Sequence, residues 1–368
     1  MSNYVEYKDK IAFHPGYYIK EIVEESGLTQ EDFAKRLDTT PKNLSLLVRG
    51  EQNLSIDISL KLSRMMGTSI NYWLKLQNAY DALMAEFRSD EELEKEKKVF
   101  SYLDYRYFRD CFALPDLPRK TDEQIKQVRE FLGVSTLSVL MNRDLAVSFR
   151  RIGETVTEAN TVKANAMVQI AINKALKYDA PSFNKAKFIE AVNYILTLTK
   201  RSDNFYPLIH DALYKVGVVF IVLPNLPGSK ISGATKKIGR NVLLMISDKR
   251  LYSDSFWFTL FHEIGHIIHG DFGITFEKDD DGQEDAADKY AEDTLIPPEL
   301  YQEFLDKNRI DVQSIKQFAD RIERDPGIVL GRLLNDKKVL FSDWKLTNAL
   351  RHKYKDTIVW VESEESLC

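Results

Sequence analysis

The sequence predicts a mainly α-helical protein with a small β-sheet in its second half, which is an α+β fold. Three observations support this prediction. Two short helices joined by a turn lie near the start, apolar residues at helical spacing fill the middle, and an apolar strand at Gly217–Val222 precedes a long apolar helix. We expect four regions: an all-α domain at 1–85, a helical middle or linker at 86–200, a domain with the sheet at 201–335, and a C-terminal extension at 336–368.

The composition limits the class of protein. The 368 residues carry 51 Lys and Arg against 56 Asp and Glu, a formal net charge of −5, which is not typical of a chain that binds nucleic acid over its whole surface. DNA binding would therefore come from a local patch, which a homodimer would double. No apolar run approaches the ~20 residues of a membrane helix. Cys111 and Cys368 are far apart, which favours free thiols in a reducing cytoplasm.

A pair of short helices near the start has the spacing of a DNA-binding motif. Leu28–Leu37 is predicted to be helical, with Thr29 as its N-cap. After a three-residue turn, a second helix is predicted over Pro41–Arg49, with Gly50 just past its end. Small Ala34 lies where the two helices must approach. The pattern indicates a helix-turn-helix, and an ordinary helical hairpin is the alternative.

In a helix-turn-helix the second helix enters the major groove with its N-terminal residues facing the bases. Lys suits guanine and Asn suits adenine, so the expected base contacts are Lys42, Asn43 and Ser45. The expected phosphate contacts are Gln30, Thr40 and Arg49.

Residues 11–80 resemble the HigA-type antidotes within the XRE helix-turn-helix class. His14–Gly16 and Gly27–Gln30 match the opening of that family, and Leu60–Ser63 and Tyr72–Gln77 match its close. The resemblance implies binding to operator DNA as a homodimer, with repression of a toxin–antitoxin operon as a frequent role and a cognate toxin as a possible partner.

The segment His262-Glu263-Ile264-Gly265-His266 has the spacing of a zinc hydrolase. Residues four apart lie on one face of a helix, so both imidazoles can reach a single metal ion. Glu263 lies about 100° round from His262, near enough to take a proton from a water that the metal activates. A buried helix with two incidental histidines is the alternative interpretation.

A catalytic zinc site needs a third protein ligand. Glu284 is the preferred candidate, because it begins a second helical stretch in which Asp288, one turn later, could accept a hydrogen bond from a ligating imidazole. His269 is the competitor. On a continuous helix it lies about 10 Å along the axis from His262, which is too far for one ion to hold both easily.

The segment from Val216 to Pro297 resembles the ImmA/IrrE group of zinc peptidases. The matching pieces are the apolar strand, Ile231–Ala234, Asn241–Ile246 and Phe258–His266, followed by the helix that begins at Glu284. Family members often have Glu-Ala-Asn or Glu-Ala-Asp in that helix, where this chain has Ala286-Ala287-Asp288. That departure leaves Glu284 as the carboxylate ligand.

The resemblance implies a zincin-like domain with one Zn²⁺ per protomer. The implied zinc ligands are His262, His266 and Glu284, with Glu263 as the catalytic base.

Two functions fit these patterns. One is a DNA-binding regulator whose peptidase domain cleaves a specific regulatory or partner protein. The other is a non-catalytic antitoxin or repressor that uses the zinc domain for binding or sensing. A short strand at Thr357–Val361 is also expected.

Overall fold

A computed structural model describes residues 3–142, 157–201, 203–250, 252–276 and 282–354, with backbone alone at 250, 276 and 282–284. The chain divides into two compact units, Met1–Lys95 and Glu96–Cys368. Both are mainly helical, and the second contains a small sheet, which confirms the α+β prediction. The first also contains a two-stranded sheet, so the expectation that this domain is all-α was wrong.

The first unit contains a hairpin followed by helices. The hairpin consists of the antiparallel strands β1 (Tyr4–Tyr7) and β2 (Lys10–Phe13). The sequence analysis did not anticipate it, because its strands are short and half-exposed and alternate only weakly. The helices are α1 (Pro15–Glu25), α2 (Gln30–Arg36), α3 (Pro41–Val48), α4 (Ile56–Met66) and the start of α5 (Ile70–Phe100).

Polar side chains cap the two helices of the motif, and the cap at Thr29 was predicted. The hydroxyl of Thr29 accepts a hydrogen bond from the backbone of Asp32, and that of Thr40 accepts one from the backbone of Asn43. Ala34 is fully buried between α2 and α3. These helices share one apolar core with α1, α4 and α5, and its members include Ile19, Phe33, Leu44, Leu47, Leu62 and Trp73.

The second unit begins with helices that lead to the sheet. They are α6 (Tyr105–Phe112), α7 (Thr121–Leu132), α8 (Glu158–Ala175), α9 (Lys185–Thr197) and α10 (Tyr206–Tyr214). Helix α8 is buried on most sides because Ala, Val, Ile and Met occupy its interior positions. It packs against the sheet that follows.

The sheet has four strands in the order β3-β5-β4-β6: β3 (Val218–Leu223), β4 (Ile231–Ile238), β5 (Asn241–Ser247) and β6 (Ile274–Phe276). Strand β3 is parallel to β5, and the other pairs are antiparallel. Every residue of β3 is buried, because helices cover both faces of the sheet.

Six helices complete the second unit: α11 (Ser253–His269), α12 (Gly282–Leu295), α13 (Pro298–Asp306), α14 (Val312–Arg321), α15 (Pro326–Asn335) and α16 (Trp344–Leu350). Helix α11 lies at the centre and contacts β4, β5, α12 and α15. The described end of the chain packs onto its first turns, where Trp257 Nε1 donates to the Tyr354 hydroxyl at 3.1 Å. The strand expected at Thr357–Val361 lies outside the described residues.

Over the described ranges, none of the helices combines the length and the apolar character that a membrane crossing requires.

Candidate metal centre and nucleic-acid interface

Helix α11 brings the two histidines of the motif together on its buried side. Apolar neighbours hold the helix in the core, and it ends at Gly270, whose φ of 78° is the left-handed conformation of a C-cap. His262 and His266 are 5% and 0% exposed. Their Nε2 atoms lie 3.0 Å apart. Two nitrogens that share one zinc ion at about 2 Å each, with a tetrahedral angle between them, lie at a similar separation of about 3.3 Å.

Each imidazole has a carboxylate at its outer nitrogen. Asp288 Oδ1 lies 2.6 Å from His262 Nδ1, and Asp271 Oδ2 lies 3.2 Å from His266 Nδ1. A carboxylate accepts the Nδ1 proton, so the neutral ring carries its lone pair on Nε2. Two lone pairs that face each other in a buried site repel unless a cation or a proton lies between them. This donor set therefore fits a metal ion.

The sequence analysis predicted Asp288 beside a histidine but missed Asp271. Gly270 turns the chain back at the end of α11, and the backbone N–H of Asp271 donates to the carbonyl of His266 at 2.9 Å. This turn brings the Asp271 carboxylate back to the imidazole five residues earlier. The sequence feature that could have identified Asp271 is its position directly after Gly270, the predicted C-cap.

Glu263 is fully buried, and neither of its carboxylate oxygens has a hydrogen-bond partner among the described residues. A buried carboxylate without donors is costly, so a polar group bound beside it would stabilise it. Strand β4 passes directly beside it at Gly233, where a Cβ atom would come within 2.3 Å of Glu263 Oε1. Only glycine lets the strand lie so close to this carboxylate.

Two small side chains let α12 approach α11 closely. A Cβ atom at Gly265 would lie 3.3 Å from the Cα of Ala287 and 3.1 Å from the ring of Tyr290. Because Gly265 and Ala287 are small, the two helices lie close enough for Asp288 to contact His262.

Neither candidate for the third ligand forms part of a metal-binding group among the described side chains. Glu284 lies in α12, one turn before Asp288, and its side chain lies outside the described part of the chain. His269 is the exposed last residue of α11, and its ring lies 6.2 Å from that of Tyr290. Among the described side chains, no third His, Cys, Asp or Glu completes a metal-binding group with the two histidines.

The residues expected to bind DNA lie on the outside of the first unit. Gln30 begins α2, Thr40 caps α3, and Lys42 is exposed in its first turn. Asn43 is half-buried, and its Nδ2 donates to the Thr39 hydroxyl at 2.9 Å. Ser45, two residues later, is also half-buried.

Arg49 follows α3 and is already paired. Its Nε lies 3.0 Å from a carboxylate oxygen of Glu51. Because part of its charge is neutralised by Glu51, its attraction to a phosphate is weaker than that of an unpaired arginine.

Two family models match this chain. The helix-turn-helix model matches residues 19–73, which span α1 to the start of α5. The model of the IrrE N-terminal-like domain matches residues 217–333, which contain the sheet and helices α11 to α14 and most of α15.

Two curated relatives each match about a fifth of this chain. Virulence-associated protein I of Dichelobacter nodosus is 36% identical over 76 residues, which is 20% of this chain and 70% of that protein. The uncharacterized HTH-type transcriptional regulator YddM of Escherichia coli strain K12 is 35% identical over 79 residues, 21% of this chain and 84% of that protein.

Among solved structures, an addiction module antidote protein of a HigA family from Coxiella burnetii is 30% identical. The match covers 23% of this chain and 91% of that chain, with a TM-score of 0.21. Together, the two family models and the curated relatives identify the chain: it belongs to the helix-turn-helix transcriptional regulators and carries an IrrE-like domain in its second unit.

Proposed function

We propose that the second unit is a zinc-dependent peptidase that cleaves a specific regulatory or partner protein, and that the first unit directs the chain to operator DNA. The observation that carries this proposal is the buried Glu263 carboxylate, which has no described partner and lies on the helix that holds the paired imidazoles. A structural site has no use for a buried base next to its ligands, whereas a hydrolytic site requires one.

We propose His262, His266 and Glu284 as the ligands of one Zn²⁺ per protomer. Glu284 is preferred over His269 because residues four apart share a helix face, and Asp288, four residues later, contacts His262. Asp288 and Asp271 would hold the two imidazoles in the tautomer that presents Nε2. When bound, zinc supplies a Lewis acid that polarises the peptide carbonyl and lowers the pKa of water.

In this mechanism the residues of the chain move the proton. Glu263 accepts a proton from the attacking water at a carboxylate oxygen and delivers it to the departing amine as the peptide bond breaks. Gly233 leaves space for the carboxylate beside β4.

The first unit would bind operator DNA through Lys42, Asn43 and Ser45 at the bases and Gln30, Thr40 and Arg49 at the phosphates. We expect a homodimer, because a single exposed patch on a chain of net charge −5 gives weak electrostatic attraction to DNA. The cytoplasm is the expected location, since both the operator and the partner protein would be found there.

A second candidate function is a non-catalytic antitoxin or repressor that uses the zinc domain for binding or sensing. The HigA-like motifs of the first unit favour it. Within them, Gly16 packs against α3 so closely that a Cβ atom would lie 1.9 Å from the Leu47 carbonyl oxygen. Gln77 accepts a hydrogen bond from the backbone of Leu54 at 2.8 Å. The cognate toxin would then be the protein partner.

The variant Glu263→Gln separates the two functions, because it removes the base without removing a ligand. Cells with the wild-type chain and cells with Glu263→Gln are compared for protein fragments and for transcription of the target operon. A peptidase predicts a loss of the specific fragments in the variant, with cleavage lowered by at least about 10²-fold and operator binding unchanged. Identical fragments and identical regulation, with zinc bound in both, would support the non-catalytic function.

A further inference from the structure

The chain that follows α15 forms one wall of an apolar pocket in the second unit. The pocket has a volume of about 770 Å³, and this wall consists of Lys337, Val339, Leu340 and Phe341. These residues lie beyond residue 333, where the match to the IrrE N-terminal-like domain ends. The wall is therefore a feature of this chain that the shared domain does not account for.

The same segment carries three large apolar side chains that are mostly exposed. Leu340, Phe341 and Trp344 are 70%, 69% and 65% exposed. Large apolar side chains that lie together on a surface often mark a site of interaction. We call these three residues the C-terminal patch. The patch adjoins the pocket, because Leu340 and Phe341 belong to both.

The described part of the chain stops next to this pocket. Arg351 Nε donates to Asp254 Oδ1 at 2.9 Å, and Arg351 Nη2 donates to the Ser255 hydroxyl at 3.4 Å. The ring of Tyr354 lies 5.8 Å from that of Phe256. Asp254, Ser255 and Phe256 all line the pocket. The chain after Tyr354 therefore starts at the edge of the pocket.

The sequence directly after Tyr354 suits an apolar site. Residues 357–361 are Thr-Ile-Val-Trp-Val, and their β-branched and aromatic side chains favour an extended chain. Because an extended chain spans up to about 3.3–3.6 Å per residue, the seven residues from 355 to 361 can reach roughly 25 Å from Tyr354. That reach is enough to cross the pocket.

The charges around the patch favour the same occupant. Three acidic residues follow the apolar stretch: Glu362, Glu364 and Glu365. Three lysines flank the patch in sequence: Lys337, Lys338 and Lys345. These lysines are exposed, and none of them pairs with a carboxylate of the described residues. Attraction between exposed charges is modest, but it would favour one direction of the segment over the reverse.

We propose that residues 357–361 of this chain dock against the C-terminal patch and into the pocket beside it, with the acidic residues that follow lying near the three lysines. The segment begins only three residues after Tyr354, and such a short tether raises its effective concentration to about the millimolar range. The chain's own segment therefore has an advantage over a segment from another protein. The docking does not depend on the peptidase function, and any other ligand of the pocket must displace the segment.

The test uses a fluorescently labelled peptide with the sequence of residues 355–366. It is titrated into the full-length wild-type chain and into a full-length double variant, Ile358→Asp with Trp360→Asp, whose own segment should no longer dock. The double variant should bind the peptide at least about 10-fold more tightly than the wild-type chain, because no tethered segment competes for the site. Fluorescence anisotropy measures both affinities.

Two further substitutions, each added to the double variant, locate the site. Leu340→Asp should weaken peptide binding by at least about 10-fold, because it removes an apolar contact of the patch. Ile56→Asp makes a similar change at an equally exposed residue of the first unit, also 70% exposed, and should leave peptide binding unchanged. Both side chains are exposed, so neither substitution removes core packing.

Equal affinity of the peptide for the wild-type chain and the double variant, or no binding to either, would overturn the proposal. Equal weakening by Leu340→Asp and Ile56→Asp would also overturn it. Sedimentation of the wild-type chain and the double variant at matched concentrations separates docking within one chain from docking between copies. The proposal predicts the same mass for both, whereas a lower mass for the double variant would show that the segment bridges two copies and would overturn docking within one chain.

Discussion

The helix-turn-helix surface and the candidate metal centre are built in opposite ways. The residues expected to bind DNA are exposed or half-buried, and two of them are engaged locally, Asn43 with Thr39 and Arg49 with Glu51. In the candidate metal centre, His262, Glu263 and His266 are buried. Asp288 contacts His262, Asp271 contacts His266, and Gly233 leaves the space that Glu263 occupies. The first set is held by residues close in sequence, whereas the second is held mainly by residues from other segments.

This difference predicts how each region responds to substitution. At the candidate metal centre, a small change in a neighbouring residue shifts a buried group. Substitutions there should therefore have large effects on zinc binding or cleavage, even at residues that do not contact the metal or the substrate. On the DNA surface each side chain acts almost alone, so effects should be modest, nearly additive and sensitive to salt.

The largest effect is expected from Gly233→Ala. The added methyl would lie 2.6 Å from the carboxylate carbon of Glu263 and would displace it. Protein cleavage should fall by about 10²-fold or more, the effect of losing a general base. Zinc content, measured on the same sample, should be unchanged because no ligand moves. Full cleavage by Gly233→Ala would contradict the inference that Gly233 leaves the space that the Glu263 carboxylate needs.

The two carboxylates behind the histidines should differ in effect. Asp288 lies 2.6 Å from its imidazole and Asp271 lies 3.2 Å from its own. Asp288→Ala should weaken zinc binding by about 10- to 100-fold, as loss of a hydrogen bond to a metal-bound histidine does, and Asp271→Ala should weaken it less. Competition with a chelator measures both affinities. A larger loss in Asp271→Ala would reverse this ranking.

The DNA surface should show smaller changes for each residue. Lys42→Ala and Asn43→Ala should each lose about 1–3 kcal/mol of binding to the chain's own promoter. Arg49→Ala should lose less than Lys42→Ala, because Arg49 already pairs with Glu51. Mobility shifts at several salt concentrations measure these differences. Shifts unchanged by both Lys42→Ala and Asn43→Ala would locate the DNA surface elsewhere.

The smallest effect is expected at the cap of the second motif helix. Thr40→Ala removes the hydroxyl that accepts from the backbone of Asn43 at 3.1 Å. It should lower the free energy of unfolding by about 1 kcal/mol, as measured by denaturant unfolding. Thr40→Ser keeps the hydroxyl and should keep most of the stability. Equal losses in the two variants would argue against the cap as the cause.

Local sequence patterns predicted the features that are determined by residues close together in the sequence. The cap at Thr29, the buried Ala34 and the end of α11 at Gly270 all follow from signals within a few residues. The hairpin β1–β2 was missed because its strands are short and their alternation is weak.

The rest of the metal centre depends on contacts between distant segments. Gly233 lies 30 residues before Glu263, and only the sheet brings them together. The apolar pocket in the second unit is lined by residues of β4, β5, α11, α12 and α15. Because these elements are far apart in sequence, no local pattern could predict it. The pairing of Asp288 with His262 was predictable because helical spacing ties Asp288 to Glu284, which had already been chosen as a ligand.

The most direct test of the central claim is elemental analysis of the purified full-length chain. The account predicts about one zinc per protomer in the wild-type chain and in Glu263→Gln, as expected for a catalytic site of three protein ligands. His262→Ala and Glu284→Ala should lose most of that zinc during dialysis. A wild-type chain that binds no zinc, or a His262→Ala chain that keeps all of it, would contradict the metal centre and the peptidase function built on it.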